Sequence, residues 1–485
     1  MSTAVDPGIT WASLAPALPE LFLTAAICVI LLVDVFAGAA RRTVTPTLSL
    51  LALATGAALT LGFGQVSVRT PLFGGMYIAD PLATVLKLFG DLFVALALLY
   101  SRSYVDDRNV LRGEYYVLML TSLLGTFVLA SAGSLLTVYI GIELLSLSLY
   151  AMVAFDRDSG VAAESAMKFF VLGAISSGVL LYGISLIYGL TGTLDLDHIS
   201  TVLTGAPSLG VILGLVFLVV AVAFKFGAAP FHMWVPDVFQ GAPTAVTLFV
   251  ATSPKVASFA LTYRLLSHGL GGVAPEWSQM LGIIAVISLV LGNVVAIAQP
   301  NLKRMLGYSA IANAGFIVLG FAAGTPAGYR AALYYTLVYV LITAGAFGVI
   351  LLASRRGFEA DTIDDYKGLY LRDPLLALCM MVLMLSMAGL PPFVGFWAKL
   401  AILQSLWAVN KVVLVTVAAA VSVAGVYYYL RIVKLMYFDP PGDLPSGARP
   451  GQSGVRLALV LNALAALVLG LVPDRLLELC SRVIL

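Results

Sequence analysis

AVAFKFGAAPFHMWVPD, residues 221–237, is apolar on both sides of two prolines, Pro230 and Pro236, and carries Lys225 and His232 within it. Proline removes a backbone donor and its ring clashes with the preceding turn, so a helix here must break. A second stretch, LSMAGLPPFVGFWAKL (385–400), repeats the device with Pro391, Pro392 and Lys399. The two share Pro-Phe-x-x-Trp from 230 and Pro-Phe-x-x-x-Trp from 392. In hydrocarbon the carbonyls freed at a break need partners, so such breaks survive only inside protein or beside water. Two kinked packing helices would account for the prolines but not for a lysine beside each.

The surrounding composition makes hydrocarbon the relevant solvent. Hydrophobic residues make up 61% and charged residues 11% of 485 positions, against about 25% charged in soluble domains. Apolar runs near 20 residues long divide the chain into about 14 candidate spans. The expectation is an all-α polytopic membrane protein with broken helices 7 and 12. The breaks lie five spans apart, and an odd offset inverts the second unit relative to the first, as in transporters built from inverted repeats. No cleavable signal peptide is evident, because no basic residue precedes the first span.

Loop charge sets the orientation. With the N-terminus outside, the inside loops hold Arg41, Arg42, Arg102, Arg108, Arg112, Arg157, Lys303, Arg304, Arg355, Arg356, Lys367, Arg372, Arg431, Lys434, Arg449 and Arg456. The outside loops and tail hold only Arg69, Arg264, Arg330, Lys411, Arg475 and Arg482. Losing one span would flip every later loop and destroy this asymmetry, so both termini are expected outside. Basic residues that follow membrane topology give no reason to expect a nucleic-acid partner.

The remaining five lysines, Lys87, Lys168, Lys225, Lys255 and Lys399, fall inside apolar stretches, as does Glu143. A charge at the bilayer centre costs about 2.5–3.5 kcal/mol on insertion scales. Groups retained at that cost point to an ion or proton path. Glu143 shares a helix face with Tyr139, Ser146 and Tyr150, and Lys255 with Thr252, Ser258 and Thr262. Ser309 and Asn313 are four apart. Such stripes line a hydrated seam or act as interhelical hydrogen-bond glue. Lys87 and Lys168 lie nearer span ends, where they could snorkel, and Asp91, one turn after Lys87, could neutralise it. Glu20 and Asp34 are expected to be solvated, and His198 and His268 to be incidental loop residues. A buried lysine exchanges protons near neutral pH once desolvated, and a nearby carboxylate opposes this. Cys28, Cys379 and Cys480 are far apart and show no CxxC or iron–sulfur spacing; no Walker loop or strand-linked GxGxxG occurs. No cofactor or metal site is expected in this chain.

ESAMKFFVLGAISSGVLLYG (164–183) and FKFGAAPFHMWVPDVFQGAPTAVTLFVATSPKVASF (224–259) closely resemble the subunit N family of the bacterial proton-pumping NADH–quinone oxidoreductase, respiratory complex I. GYSAIANAGF (307–316) and GLPPFVGFWAKL (389–400) are similar to the same family. The resemblance covers at least 115–435. It implies a 14-helix antiporter-like subunit with helices 1–3 in 1–112, one repeat in 113–270, its inverted copy in 271–438 and a last helix in 439–485. It implies a proton path through Glu143, Lys168, Lys225, His232, Lys255 and Lys399. In that reading Glu143 modulates the switching carrier Lys225. Lys255 and His232 continue the path, Lys399 sits at its far end as the counterpart of Lys225, and Lys168 couples charge along it. NADH, flavin, iron–sulfur clusters and quinone would then belong to partner subunits. The partners would be neighbouring antiporter-like and small membrane subunits in the bacterial inner membrane, with both termini periplasmic. Subunit L of the group carries a long lateral helix absent here, and subunit M has glutamate where this chain has Lys399. Pro254, directly before Lys255, is a local departure from the family pattern. An Mrp-type cation/proton antiporter subunit and a non-pumping scaffold subunit are the alternative readings.

Overall fold

A computed structural model describes residues 11–36, 41–64, 66, 68–108, 113–156, 158–441 and 453–484. Arg112, Arg157 and Arg449, assigned above to inside loops, and the first ten residues lie outside these. Among the described residues, 13 helices are long and apolar enough to cross a bilayer. In order, spans 1–6 are Ala15–Phe36, Thr43–Phe63, Pro81–Val105, Gly113–Ala130, Leu135–Val153 and Gly160–Thr191. Span 7 is broken into Leu209–Phe226 and Trp234–Gly241. Spans 8–11 are Thr244–Gly269, Gly271–Ile297, Leu302–Ala322 and Pro326–Ala353. Span 12 is the fourteenth crossing, made of two short halves, Pro374–Ala388 and Val394–Ala408. Spans 13 and 14 are Val412–Phe438 and Ser453–Leu471. The chain is an all-α polytopic bundle with helices 7 and 12 broken, as its prolines require.

Helix ends follow ordinary capping chemistry. Ser134, Ser159, Ser208, Asn301 and Thr325 each accept the backbone N–H three residues on, satisfying donors that a helix start leaves free. Gly227 and Gly389 take left-handed conformations, φ 70° and 81°, and end the first halves of spans 7 and 12. That region excludes most side chains.

The inverted repeat is visible in how the helices cross. A Cβ on Gly125 of span 4 would lie 2.8 Å from the Gly141 carbonyl oxygen and 2.7 Å from the Leu145 nitrogen. A Cβ on Gly292 of span 9 would lie 2.8 Å from the Tyr308 carbonyl oxygen and 2.6 Å from the Ala312 nitrogen. Spans 4 and 5 therefore touch backbone to backbone as spans 9 and 10 do, and only glycine permits it. Counted from this crossing, Glu143 on span 5 corresponds to Ala310 on span 10.

Span 8 is buried throughout its most apolar window, whereas span 13 buries only 22% of its own. The interior thus centres on spans 8, 10 and 11, and spans 1, 13 and 14 face outward. Three loops meet on one side of the bundle. They are the two-stranded ribbon Thr70–Leu72 with Tyr77–Ala79, the turn at Ser131–Ser134 and the short helix Leu196–Val202. Ile78 N–H donates to Ser131, and Leu135 N–H to Leu194. Leu302 N–H donates to Asp361 and Ile363 N–H to Pro300, joining the 9–10 and 11–12 loops. Both groupings obey the alternation that fourteen crossings demand.

Several charged residues are placed differently from expectation. Glu20 is not solvated: it pairs with Lys87 at 2.5 Å. Asp34 is buried and accepts from Thr45 at 2.7 Å. Arg264 is not a loop residue; it is buried, grips Asp80 at 2.6 and 2.8 Å and also donates to the Ala130 carbonyl. Lys303 is buried and donates to the Ala242 carbonyl at 3.0 Å. His268 is not incidental, since its Nε2 lies 2.5 Å from Asp197, which also accepts from Arg69 at 2.7 Å. In each case the neighbour comes from outside the residue's own helix, and periodicity within one helix carries no information about it.

Candidate functional site

Three carbonyls at the break of span 7 each receive a side-chain donor, and that of Phe224 also accepts the Gly227 N–H at 2.9 Å. Trp234 Nε1 donates to Phe224 at 3.2 Å, Ser258 Oγ to Lys225 at 3.1 Å and Lys255 Nζ to Phe226 at 2.7 Å. Carbonyls that water cannot reach must be satisfied internally. Beyond the break, the Ala229 N–H donates to Ser288 Oγ of span 9 at 2.8 Å. The Ala229–Pro230 peptide is cis.

Lys255 owes its position to a third break, which the sequence reading did not anticipate. Span 8 is helical over Thr244–Ala251 and again from Ser253, with Thr252 between them at φ −117°, ψ −91°. Pro254 occupies the first turn of the new helix, where its missing N–H costs nothing. The departure noted beside Lys255 is thus a helix start. It sets the lysine in a first turn, with Nζ 5.7 Å above the Trp234 ring.

Lys225 projects from the same break toward span 5. Its Nζ donates to Ser146 Oγ at 2.6 Å, and Ser146 donates to the Ile142 carbonyl. Glu143 stands one turn before Ser146 on the same span. Its Oε1 is buried without a hydrogen-bond partner. Lys225, Lys255, Ser146, Tyr150 and Ser258 line one cavity of about 20 Å³, room for about one water. Phe224, Phe169 and Trp234 form its apolar wall.

Span 12 repeats the arrangement. Lys399 Nζ donates to the Ala388 carbonyl, the last of the first half, at 2.8 Å, and to Ser422 Oγ of span 13 at 3.0 Å. The Pro391–Pro392 peptide is cis, and Gly395 N–H donates to Ser386 Oγ. By its contacts Lys399 corresponds to Lys255 rather than to Lys225: each ammonium sits on the negative end of a half-helix. Beside Lys399 lies a polar cluster in which Ser309 and Asn313 are joined by two residues the sequence reading missed. Tyr335 donates to Asn313 at 2.7 Å, and Tyr429 lies 2.5 Å from Ser309. Phe316 stacks on Tyr335, and Lys399 Nζ lies 5.5 Å above the Phe316 ring.

Two expected members stand apart. Lys168 is 46% exposed and pairs with Glu164 at 2.8 Å and Asp237 at 2.9 Å, and Asp237 also pairs with Arg304. It lies on the flank of span 6, while its neighbour Phe169 lines the cavity. His232, half-buried just past the break, is not a cavity-lining residue, and its Nδ1 is buried without a partner. The sequence reading placed Lys168 nearer a span end, as found, but did not set His232 apart, because helical facing fixes direction but not depth. Among the described residues no three His, Cys, Asp or Glu side chains cluster as metal ligands do.

A sequence profile described as "NADH:quinone oxidoreductase/Mrp antiporter, TM" matches residues 132–425, which contain every group of this site but Tyr429. The chain belongs to that family. The NADH-quinone oxidoreductase subunit N of Thiobacillus denitrificans is 52% identical over 473 residues, covering 97% of each chain. That of Thioalkalivibrio sulfidiphilus is 50% identical, covering 96% of this chain and 97% of its own. Among solved structures, a chain of respiratory complex I from Thermus thermophilus superposes with a TM-score of 0.80 at 34% identity, covering 96% of this chain and 99% of that one. A chain of the Mrp complex from Dietzia gives 0.84 at 21% identity over 98% and 97%, a likeness of fold.

Proposed function

We propose that this family member is a proton-translocating membrane subunit of the bacterial NADH:quinone oxidoreductase, complex I. The observation that carries the reading is the row of buried protonatable groups at helix breaks. Glu143, Lys225 and Lys255 cluster at the breaks of spans 7 and 8, and Lys399 lies at the break of span 12 beside the Ser309–Asn313–Tyr335–Tyr429 cluster. Redox chemistry belongs to other subunits, and this chain holds and passes protons.

Lys225 is the switching carrier. Its partner Ser146 is neutral and leaves its charge uncompensated except by Glu143, so movement of Glu143 toward or away from it decides whether it keeps its proton. Two such groups titrate as a pair. Lys255 shares the cavity, and a proton gained on one lysine opposes charge on the other. His232, off the cavity wall, acts at the edge of the path. Lys168 tunes charge on the flank through Asp237. Neighbouring membrane subunits of the complex and lipid cover the outward faces, in the inner membrane with both termini periplasmic.

The test is NADH-driven proton uptake in reconstituted vesicles by complex carrying Lys225→Ala, with assembly checked first. Uptake should be lost while the complex remains assembled. Undiminished pumping would make the subunit a scaffold.

A further inference from the structure

Spans 1–3 lie outside both repeats, yet they hold the least explained carboxyl in the molecule. Asp91 of span 3 is only 5% exposed, and its Oδ2 is buried with no hydrogen-bond partner. It is ten residues into a span that begins at Pro81, about 15 Å down the helix at 1.5 Å per residue. That is near the middle of a hydrocarbon core about 30 Å thick. Gly56 of span 2 faces it, and a Cβ there would lie 3.8 Å from its carboxylate. An ionised carboxylate buried without a partner is far costlier than a neutral one.

One turn toward the outer surface, about 6 Å up the helix, is Lys87, itself 2% exposed. It does not neutralise Asp91. Its Nζ is 2.5 Å from Glu20 and donates to Tyr77 Oη at 2.9 Å. Tyr77 Oη in turn donates to the Pro16 carbonyl at 2.8 Å and lies 3.3 Å from both Glu20 oxygens. Ser131 Oγ is 3.5 Å from Glu20. Glu20 keeps 12% of its side chain exposed, near the start of span 1. One ammonium thus serves two carboxyls, one at mid-membrane and one near the surface, and it has chosen the outer one.

We infer that Asp91 is a proton-binding site: it holds a proton at mid-membrane and exchanges it with the outer surface through Lys87 and Glu20. In the exchange Lys87 donates a proton to the Glu20 carboxylate and takes one from the Asp91 carboxyl. Lys87 ends as it began, an ammonium, now paired with ionised Asp91. Glu20 ends protonated where water can collect the proton. One O–H and one N–H bond break, one of each forms, and net charge is unchanged. The presence of the proton on Asp91 is independent of the pumping role proposed above, whereas its exchange during turnover rests on that role.

Infrared difference spectroscopy of the intact complex at neutral pH reads the resting state directly. Asp91→Asn, close in shape to a protonated aspartate, should remove one deuterium-sensitive carboxylic-acid C=O band. No loss means that Asp91 is ionised, and the inference is overturned. Glu20→Gln should remove the same band with Asp91 intact, because Lys87 then turns to Asp91 and ionises it. Persistence of the band would show that Lys87 does not couple the two carboxyls. In vesicles Asp91→Asn should slow NADH-driven pumping by about tenfold or more, the scale of a lost proton-transfer group. Pumping at the parental rate, where Lys225→Ala abolishes it, would overturn the exchange. If Lys225→Ala also pumps normally, the function proposed above fails while the infrared result still decides the site.

Discussion

Glu143 is the carboxylate proposed to tune Lys225, and it does so without touching it. Lys225 donates to Ser146, so the two charges are held apart by one turn of span 5. Glu143→Gln keeps shape and removes charge, leaving Lys225 without its compensating field. NADH-driven pumping should fall severely with the complex still assembled, and normal pumping in this variant would break the proposed pair. Asp80 and Arg264 show the opposite, a charge pair used for stability. Burial would raise the Asp80 carboxyl, but the Arg264 guanidinium beside it outweighs this and holds it below the usual carboxylate range. A carboxyl lowered on folding contributes stability that is fully present above its unfolded value near 3.9 and is lost as pH falls through the folded one. Asp80→Asn strands a buried guanidinium and should cost about 3–5 kcal/mol. The gap in thermal stability between parent and variant should stay constant from pH 8 to 5 and narrow only below about 4. A gap that shrank between pH 8 and 5 would show that another group carries the dependence.

Half-helices are the elements that hold the residues of the proposed path, and they were partly legible beforehand. The breaks in spans 7 and 12 follow from Pro230, Pro391 and Pro392, because proline's effect is local. Span 8 read as continuous, since its only proline, Pro254, sits where a helix start tolerates it. The partners of the freed carbonyls were not legible at all. Lys255 reaches the Phe226 carbonyl across 29 residues, and the rotation of one span against another decides such contacts, as it does for the Tyr429 and Ser309 hydroxyls 120 residues apart. The same geometry corrected the counterpart of Lys399 and sharpens what its replacement should do. Lys399→Ala leaves the Ala388 carbonyl unsatisfied, a loss of about 1–3 kcal/mol for a buried group, and removes the proton site. Lys399→Glu can still bind a proton and, when protonated, donate to that carbonyl. Pumping in vesicles, with assembly checked first, should therefore survive better in the Glu variant than in Ala. Equal loss in both would mean that a fixed positive charge at the half-helix end is what the mechanism needs.

For the molecule as a whole, direction is the open quantity, and it rests on topology. The count of fourteen spans came from apolar runs, the orientation from sixteen inside basic residues against six outside. Burial of Arg264 and Lys303 in the structure takes one residue from each side, so the asymmetry stands. Loop contacts add an independent constraint. The 2–3 ribbon, the 4–5 turn and the 6–7 helix touch one another, and the 9–10 loop touches the 11–12 loop, so relative sidedness is fixed by contact while absolute sidedness depends on charge alone. Thr204, in the 6–7 loop, and Arg356, in the 11–12 loop, are both exposed and lie on opposite faces. Single cysteines at these positions, in a background from which the exposed Cys28 has been removed, can be probed with a membrane-impermeant maleimide. Thr204→Cys should label in right-side-out spheroplasts and Arg356→Cys only in inverted vesicles. That pattern puts Glu20 and the outer end of span 3 on the periplasmic side, so a proton leaving Asp91 through Lys87 exits there. The reversed pattern would make the same three residues an entrance from the cytoplasm and reverse the direction of the half-path without altering a contact within it.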